Sequence, residues 1–430
     1  MDSLRGLMGF LQASPTAFQA VKNLTDMLKD AGYERLEERA EWKIAPAGKY
    51  FVTRNQSSFI AFRVPEAGFG HFQIVASHSD SPAFKLKPDA GRECQGYAML
   101  NVEKYGGMIM STWFDRPLSI AGRVIVETDE GLETRLVNLD RDLCLIPNMP
   151  IHFNRDVNDG VKLNPQVDLL PICGEAGTDI MALVAESAGV EPGAIAGSDL
   201  FLICRDMPRL WGANAEYIAS PRLDDLECAY ASVAALIGAA PSGHIDMACV
   251  FDNEEVGSGT KQGADSSFLT DVMARIARAL GASEKVEAAM IGSFMLSADN
   301  AHAVHPNHPE KYDAENRVCM NGGVVVKFNA NQKYTSDGVS QAVFETICRR
   351  AGVPTQRFAN RSDVPGGYSL GNIANSHASM NTVDIGLAQL AMHSANESAG
   401  TRDLQYMIDA MRAFHESEIE VIRDGLIQLH

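Results

Sequence analysis

Patterns typical of strands and of helices alternate in two separated parts of the chain, and this arrangement limits the possible folds. The first part predicts a helix over 18–28, a hairpin over 50–64 and a short apolar strand over 72–76. The second part, after Pro221, alternates predicted helices and strands: helix 225–240, strand 244–251, helix 266–280, strands 290–299 and 324–329, helix 341–351, strand 378–386, and a terminal helix from Glu397 onwards.

The stretch between these parts, from about 85 to about 214, predicts strands almost alone, apart from a possible helix near 180–187. Alternating strands and helices indicate a mixed or parallel sheet with helices on its faces. We therefore expect an α/β fold with a central mixed sheet flanked by helices. One discontinuous domain would comprise 1–86 and 214–430, and a β-rich domain inserted into it would comprise 87–213.

Charge and cysteine usage exclude several classes of protein. The chain has 430 residues, and 37 basic against 55 acidic side chains give a net charge of −18, which disfavours nucleic acid and anionic membrane surfaces as partners. No apolar run reaches the roughly 20 residues that span a bilayer, and the N-terminal segment lacks the apolar core of a secretory signal. The eight cysteines form no C-x-x-C pair, which argues against a disulfide framework. We expect a cytoplasmic protein.

The strongest chemical signal is an acidic pair at the end of a buried strand. The predicted strand 244–251 leads into Asp252, and Glu254 and Glu255 follow. Two carboxylates at such a place are costly to bury unless one is paired or binds a cation. Because adjacent side chains point in different directions, one could bind a metal ion while the other transfers protons.

Four other segments carry candidate metal ligands at or near strand ends. In the His-x-Asp pair of His78 and Asp80, the carboxylate could orient a ligating imidazole. The remaining candidates are Asp224, Asp299 and His393. Singly, each has an ordinary structural explanation, such as a helix start or a hydrogen-bonded histidine.

Taken together, the five segments supply two histidines, three carboxylates and a spare glutamate. This set suits two divalent ions bridged by one carboxylate, which could share a water and lower its pKa. The spare glutamate would accept the proton of that water and pass it to a leaving amine. The predicted reaction is hydrolysis of an amide, and a peptide bond is the first candidate.

The segments that carry these residues resemble those of a known family, the aspartyl aminopeptidases, which are dizinc metallopeptidases. The resemblance covers nearly the whole chain, and the motifs occur in the same order as in the family. They are HSDSP at 78–82, YGGMIMSTWFDRPLSIAGRV at 105–124, PRLDDL at 221–226, DNEEVGS at 252–258, SADNAHAVHPN at 297–307 and LAMHS at 390–394. The most specific are DNEEVGS and SADNAHAVHPN.

The resemblance implies a role for each candidate. His78 and Asp299 would bind one zinc ion, Glu255 and His393 the other, and Asp224 would bridge the two. Glu254 would be the general base, and Asp80 would orient His78. Cobalt or manganese would also suit such ligands.

The resemblance also implies a fold, an assembly and a substrate. The fold would be a metallopeptidase α/β domain, and the inserted domain 87–213 would mediate dimerisation. Dimers would assemble into a tetrahedral homododecamer, which would cover the edge strands of the insert. The substrates would be peptides, with a preference for N-terminal Asp or Glu.

Residues at matching positions imply a substrate pocket. These are Lys327, whose ammonium could pair with a substrate carboxylate, together with Tyr334, His302 and His152, the last reaching a neighbouring subunit's active site. His302 and His305 could stabilise an oxyanion or simply a turn. The glycine-rich segment 366–371 departs from the family pattern and could alter this pocket. His377 lies nearby but is not assigned as a ligand.

Three alternatives stay open at this point. The first is a dizinc aminopeptidase of broad specificity that removes Leu, Lys or Ala. The second is a related dizinc deacylase or carboxypeptidase-like amidohydrolase, for which Arg361 could bind a substrate carboxylate. The third is a binding module or chaperone without catalysis, which the complete ligand set and base argue against.

Overall fold

The computed structural model describes residues 2–430. Its largest sheet has nine strands, because several long apolar segments pair side by side and bury both of their faces. From one edge to the other, these strands are Glu34–Leu36, Lys49–Arg54, Ser58–Arg63, Ile245–Phe251, Phe72–His78, Phe294–Ala298, Asn381–Gly386, Val324–Phe328 and Thr355–Ala359.

Four adjacent strands in the middle of this sheet run parallel, and their carboxyl ends therefore lie at the same edge. They are Ile245–Phe251, Phe72–His78, Phe294–Ala298 and Asn381–Gly386. All residues in the first three of them are buried, which explains why these segments are mostly apolar without a regular polar face.

Helices cover both faces of the nine-stranded sheet and form a separate apolar core on each. One face packs against five helices: Asp2–Ala13, Ala17–Asp30, Leu223–Gly238, Gly338–Ala351 and Asp403–Glu416. The other face packs against three: Phe268–Ala279, Val286–Ile291 and Leu370–Asn375. Among residues 2–430, no helix has both the length and the apolar character needed to cross a membrane.

A six-stranded antiparallel sheet with a core of its own lies between Phe72–His78 and Leu223–Gly238 in the sequence. Its strands in spatial order are Gly131–Asn138, Leu118–Thr128, Ile195–Cys204, Ala83–Cys94, Tyr97–Tyr105 and Ile172–Glu175. Two short helices, Pro165–Asp168 and Ile180–Ala188, accompany it. The strand content matches the β-rich character predicted for 87–213, whereas its domain limits and its role in dimerisation stay predictions.

A five-stranded sheet and a C-terminal hairpin complete the fold. The five strands in order are Arg209–Trp211, Tyr217–Ser220, Glu397–Gly400, Ala388–Leu390 and Ala301–His302. The hairpin consists of Ile419–Arg423 and Leu426–Leu429.

The predicted α/β fold with a large mixed sheet is confirmed, but two local predictions are wrong. The strand predicted over 290–299 is shorter, because helix Val286–Ile291 precedes strand Phe294–Ala298. The helix predicted from Glu397 onwards begins only at Asp403. Glu397 itself starts a strand that pairs with Tyr217–Ser220, so tertiary pairing decides the structure of this segment.

Candidate metal centre

The predicted ligands meet at the carboxyl edge of the four parallel strands. His78 is the last residue of its strand, and Asp299 directly follows another. Glu254 and Glu255 lie in a single 3₁₀ turn three residues beyond a third strand. His393 is on the segment that continues from the fourth strand. This convergence is the usual place for a ligand site in an open α/β sheet.

His78 is almost fully buried among carboxylates. Its Nε2 atom lies 3.5 Å from Asp224 Oδ1 and 4.0 Å from both Asp299 Oδ1 and Asp225 Oδ2. One ligand atom from each of these four residues lies within 4.8 Å of the others. A single imidazole among three buried carboxylates leaves negative charge that a divalent cation could balance.

A second cluster shares Asp224 with the first. His393 Nε2 lies 3.5 Å from Asp224 Oδ2 and 3.3 Å from Glu255 Oε1. Asp224 therefore faces His78 with one carboxylate oxygen and His393 with the other. This is the arrangement that a carboxylate needs to bridge two cations.

Unpartnered oxygens show that the residues fit a metal centre. Asp224 Oδ1 and Glu255 Oε1 are buried and accept no hydrogen bond from residues 2–430. Leaving such atoms without a partner would cost the full desolvation of a charged group. Histidine nitrogens and carboxylate oxygens are the donors that zinc accepts in hydrolytic sites. Both clusters therefore fit a divalent ion by donor type and by spacing.

The ionisation of the site is strongly perturbed. Burial raises the pKa of Glu255 to about 7, opposed by the neighbouring imidazole of His393. Burial raises the pKa of Glu254 well above its ordinary value, opposed by the charge of His78. Burial alone would raise the pKa of Asp224, but the neighbouring imidazoles of His393 and His78 outweigh it and hold that pKa below its usual value. Neighbouring carboxyl groups whose pKa values are shifted in opposite directions are typical of sites that carry out acid–base chemistry.

Asp80 holds His78 and the glutamate pair in one arrangement. Its Oδ1 lies 3.3 Å from His78 Nδ1 and accepts the backbone N–H of Glu254 at 3.1 Å. Its Oδ2 accepts the N–H of Glu255 at 3.1 Å and the hydroxyl of Tyr105 at 2.7 Å. His78 Nδ1 also lies 3.1 Å from the backbone oxygen of Asp80, and an acceptor behind a ligating imidazole fixes the ring orientation and the tautomer.

Two supporting residues were absent from the sequence predictions. Glu397 is buried, and its carboxylate accepts the backbone N–H groups of Asp224 and His393. Tyr105 comes from the six-stranded sheet and was quoted only as part of a motif. The sequence signal for Glu397 was an acidic residue four positions after the motif residue His393. It was missed because the segment was predicted as a helix.

Lys327 is buried beside Asp299. Its Nζ donates to the backbone oxygen of Asp299 at 2.8 Å, to Asp299 Oδ2 at 3.1 Å and to the backbone oxygen of Asn300 at 3.4 Å. The ring of the buried Tyr334 lies 5.0 Å from Nζ. In this structure the ammonium group supports a predicted metal ligand, and its predicted contact with substrate stays a prediction.

His302 is exposed on the short strand that follows Asp299, but it is near enough to Lys327, Asp224 and His393 for their charges to act on its ring. The other residues named from the sequence lie further out. His152 is exposed in a turn of the β-rich segment. Arg361 pairs with Asp363 through two hydrogen bonds, and His377 Nε2 lies 2.7 Å from Asp265. His305 Nδ1 accepts the N–H of Asn307 at 3.2 Å.

Comparison with known proteins identifies the class that this fold and site define. Residues 10–415 match the family model described as aminopeptidase I zinc metalloprotease (M18). The chain belongs to this family of zinc metallopeptidases. The resemblance to aspartyl aminopeptidases noted in the sequence is thereby confirmed, and the chain is a peptidase.

Curated bacterial relatives extend over almost the full length. A probable M18 family aminopeptidase 2 from Clostridium acetobutylicum is 45% identical over 428 residues, which cover 96% of this chain and 99% of that protein. A probable M18 family aminopeptidase 2 from Ectopseudomonas mendocina is 39% identical over 426 residues, covering 97% and 98%.

Solved structures agree with the fold. The cryo-EM structure of the Ape4 and Nbr1 complex superimposes with a TM-score of 0.94 at 35% identity, over 96% of this chain and 85% of that one. The S. cerevisiae mApe1 dodecamer gives a TM-score of 0.83 at 26% identity, over 96% of each chain. An M18 aminopeptidase from Thermotoga maritima, at 23% identity and a TM-score of 0.85, covers 96% of this chain and 95% of that one and shares the fold.

Proposed function

We propose that the protein is a dizinc aminopeptidase that removes the N-terminal residue of peptides, with a preference for Asp or Glu. The observation that carries the proposal is that Asp224 faces His78 with Oδ1 and His393 with Oδ2. Asp299 and Glu255 complete the two ligand sets.

Two divalent ions at these residues would supply Lewis-acid activation of water and of the scissile carbonyl. The chain's own residues then set the direction of proton transfer. Glu254 lies outside the cluster of Asp224, Glu255 and His393, although it is close to His78. We assign it as general base and later general acid, because Glu255 is the member of the pair that contacts His393. Asp80 contacts both the backbone of Glu254 and the ring of His78, which fixes the position of the proposed base relative to the proposed ligand.

The support for a preference for N-terminal Asp or Glu is a buried positive charge beside the proposed metal centre. Lys327 and Tyr334 lie together next to Asp299, and Lys327 is a buried cation. A substrate carboxylate would have to share the Lys327 ammonium with Asp299 and Asn300. Broad specificity for Leu, Lys or Ala is the second candidate, because all the present Lys327 contacts are internal.

We further propose a cytoplasmic homododecamer assembled from dimers through the β-rich segment 87–213. A related protein, mApe1 of S. cerevisiae, forms a dodecamer. Large apolar side chains surround His152 on its exposed turn, and they include Met149, Ile151 and Phe153, the last 83% exposed. Such a patch is typical of a surface covered by another subunit. Eight free cysteines suit a reducing compartment.

The test is a profile of N-terminal preference with purified protein, zinc and aminoacyl reporters of Asp, Glu, Leu, Lys and Ala. Chelator-sensitive release led by Asp or Glu would support the whole proposal. Release led by Leu or Lys would keep the aminopeptidase and reject the acidic preference. Absence of release from metal-loaded protein would reject the proposed activity, and the molar mass by light scattering tests the dodecamer separately.

A further inference from the structure

A further group of residues of metal-binding types, separate from the two clusters of the candidate metal centre, lies at the opposite edge of the central sheet. His71 and His244 directly precede the paired strands Phe72–His78 and Ile245–Phe251. Both histidines are buried, and their rings are stacked with centroids 5.0 Å apart. Glu418 joins helix Asp403–Glu416 to the C-terminal hairpin and brings its carboxylate to both rings.

The hydrogen bonds of His244 define which of its nitrogens is free. Its Nε2 lies 3.0 Å from Asp246 Oδ1 and 3.1 Å from the backbone oxygen of His415. Both are acceptors, so Nε2 carries the hydrogen. Nδ1 then presents a lone pair to Glu418 Oε2 at 3.3 Å. Two facing lone pairs require a cation between them, which is either a proton or a metal ion.

His71 also faces acceptors, but through the nitrogen that would bind the ion, so zinc binding requires its hydrogen to be on Nδ1 and the lone pair on Nε2. Its Nε2 lies 3.3 Å from Gln73 Oε1 and 4.0 Å from Glu418 Oε1. Gln73 Nε2 donates to the backbone oxygen of Phe414 at 2.5 Å, which fixes the amide with its oxygen towards His71. Ligand atoms of the two histidines and of Glu418 thus lie within 4.8 Å of one another, beside the buried amide oxygen of Gln73.

Glu418 is available to bind a cation, because it has no lysine or arginine partner of its own in the described part of the chain. Asp246 is already paired with Arg63, whose Nη2 lies 2.6 Å from Asp246 Oδ2. Within residues 2–430, the ion-pair contacts of Glu418 are to the two histidines, and no lysine or arginine contacts it. Asp246 behind His244 is the carboxylate–histidine arrangement that commonly supports a bound metal ion.

The spacing also fits. One ligand atom from each of the three residues lies within 4.8 Å of the others. Zinc bonds of about 2.0–2.1 Å in a tetrahedral site place ligands about 3.4 Å apart. The separation of His244 and Glu418 is 3.3 Å, the same as that of His393 and Glu255 in the proposed catalytic centre, whereas His71 and Glu418 are 4.0 Å apart and would move closer on binding zinc.

We propose that His71, His244 and Glu418 form an additional, structural zinc site. Zinc there would tie the C-terminal hairpin to the amino ends of two strands whose opposite ends carry the proposed catalytic residues. The inference does not depend on the proposed function, since none of its ligands belongs to the proposed catalytic centre.

The test compares zinc content in the full-length protein and in Glu418→Gln. Both are stripped with chelator, equilibrated with the same free Zn²⁺, desalted and analysed by plasma mass spectrometry. We expect Glu418→Gln to hold one zinc ion fewer per subunit and to keep its peptidase rate. Glu420→Gln, the same charge change at an exposed position of the same hairpin, should keep the full zinc content.

Cobalt provides a second readout. A tetrahedral site loaded with Co²⁺ absorbs in the visible range, and the difference between wild type and His71→Asn should show that absorption. If Glu418→Gln folds poorly by circular dichroism, His71→Asn takes its place in the zinc measurement. Equal zinc content in wild type and variant, with no cobalt difference, would overturn the site and assign the bridging cation as a proton.

Discussion

The carboxylate of Glu397 accepts the backbone N–H of His393 with Oε1 at 2.7 Å. Its other oxygen, Oε2, accepts the backbone N–H of Asp224 at 3.0 Å. One buried side chain thus fixes the main chain of the proposed bridging ligand and of a ligand on the other side of the centre. Because it is bound to backbone and lies behind the ligands, Glu397 acts as a positioning residue.

Replacing Glu397 should therefore weaken metal binding without removing any ligand. Glu397→Gln keeps one carbonyl oxygen and should lose one of the two hydrogen bonds, whereas Glu397→Ala loses both. We expect zinc affinity to fall about 10–100-fold, with the alanine variant more affected. Competition with a fluorescent chelator measures this, and the exposed Glu287→Gln serves as the control. Unchanged affinity in Glu397→Ala would contradict the positioning role.

Glu254→Gln tests the proposed general base. The amide cannot accept a proton from water, so the rate constant kcat should fall by at least about 10²–10⁴-fold. Zinc content should remain at the wild-type level, because the proposed ligands Asp224 and Glu255 are intact. Single-turnover rates and metal analysis on the same sample check both parts. A near-normal rate would remove Glu254 from the role of base.

Lys327→Met distinguishes two possible roles of Lys327, which are neutralising the charge of Asp299 and binding the side chain of the substrate. In the metal-free protein the change leaves Asp299 buried without its cation, which should destabilise the fold by about 3–5 kcal/mol. Thermal unfolding measures the loss, and the exposed Lys285→Met is the matched control. If Lys327 also binds acidic substrates, kcat/KM should fall more for an Asp reporter than for a Leu reporter. Equal losses on both reporters would restrict Lys327 to supporting Asp299.

Asp199 gives a pH-dependent prediction at the junction of the two large sheets. Partial burial tends to raise its pKa, but Lys85 and Arg123 outweigh burial and hold the pKa below its ordinary value. Arg123 also donates to the backbone oxygen of Asn55 at 2.7 Å, which links the six-stranded sheet to the hairpin of the central sheet. The ionised form of Asp199 therefore stabilises the fold.

This stabilisation is present above the unfolded pKa of about 3.9 and is lost as the pH falls through the lower folded value. We expect Asp199→Asn to lower the free energy of unfolding by a few tenths to about 1 kcal/mol at pH 7. The difference from wild type should shrink below about pH 4. Asp129→Asn, an exposed change on the same sheet, should show no such trend. A difference that stays constant with pH would contradict the assignment.

The sequence was most informative where a local pattern and the tertiary structure agree. The predicted strand 244–251 is mostly apolar, with His244 and Asp246 as exceptions, and acids follow its end. Parallel pairing places Glu254 and Glu255 at the same edge as His78 and Asp299. These four residues could be proposed as ligands or base because strand ends are visible in the pattern. Their mutual distances depend on strand order, which local periodicity does not contain.

Residues that act through long-range contacts were harder to predict. Lys327 was predicted as a contact to substrate, and its local pattern did not indicate that its ammonium also donates to the backbone of Asp299 and Asn300. Glu397 lies in a short strand whose pairing with Tyr217–Ser220 overrides its helical pattern. His71 and His244 gave no motif because they are far apart in sequence and meet only through the register of two parallel strands.

Tyr105 is the point where the six-stranded sheet reaches the proposed catalytic centre. Its hydroxyl donates to Asp80 Oδ2 at 2.7 Å and accepts from Asn253 Nδ2 at 2.8 Å. A hydrogen bond to a charged group is worth about 1.5–3 kcal/mol, so Tyr105→Phe should loosen Asp80 and, through it, the backbone of Glu254. We expect kcat to fall roughly 10–100-fold while zinc content is unchanged.

The matched control is Tyr97→Phe, which removes the same hydroxyl from a half-exposed position on the same strand. Steady-state kinetics and metal analysis should show wild-type values for this variant. If Tyr105→Phe loses zinc in proportion to activity, the hydroxyl supports the ligands and leaves the base unaffected. If neither changes, the contact between Tyr105 and Asp80 has no part in catalysis. A fall in kcat alone would mean that the six-stranded sheet helps to align the proposed base.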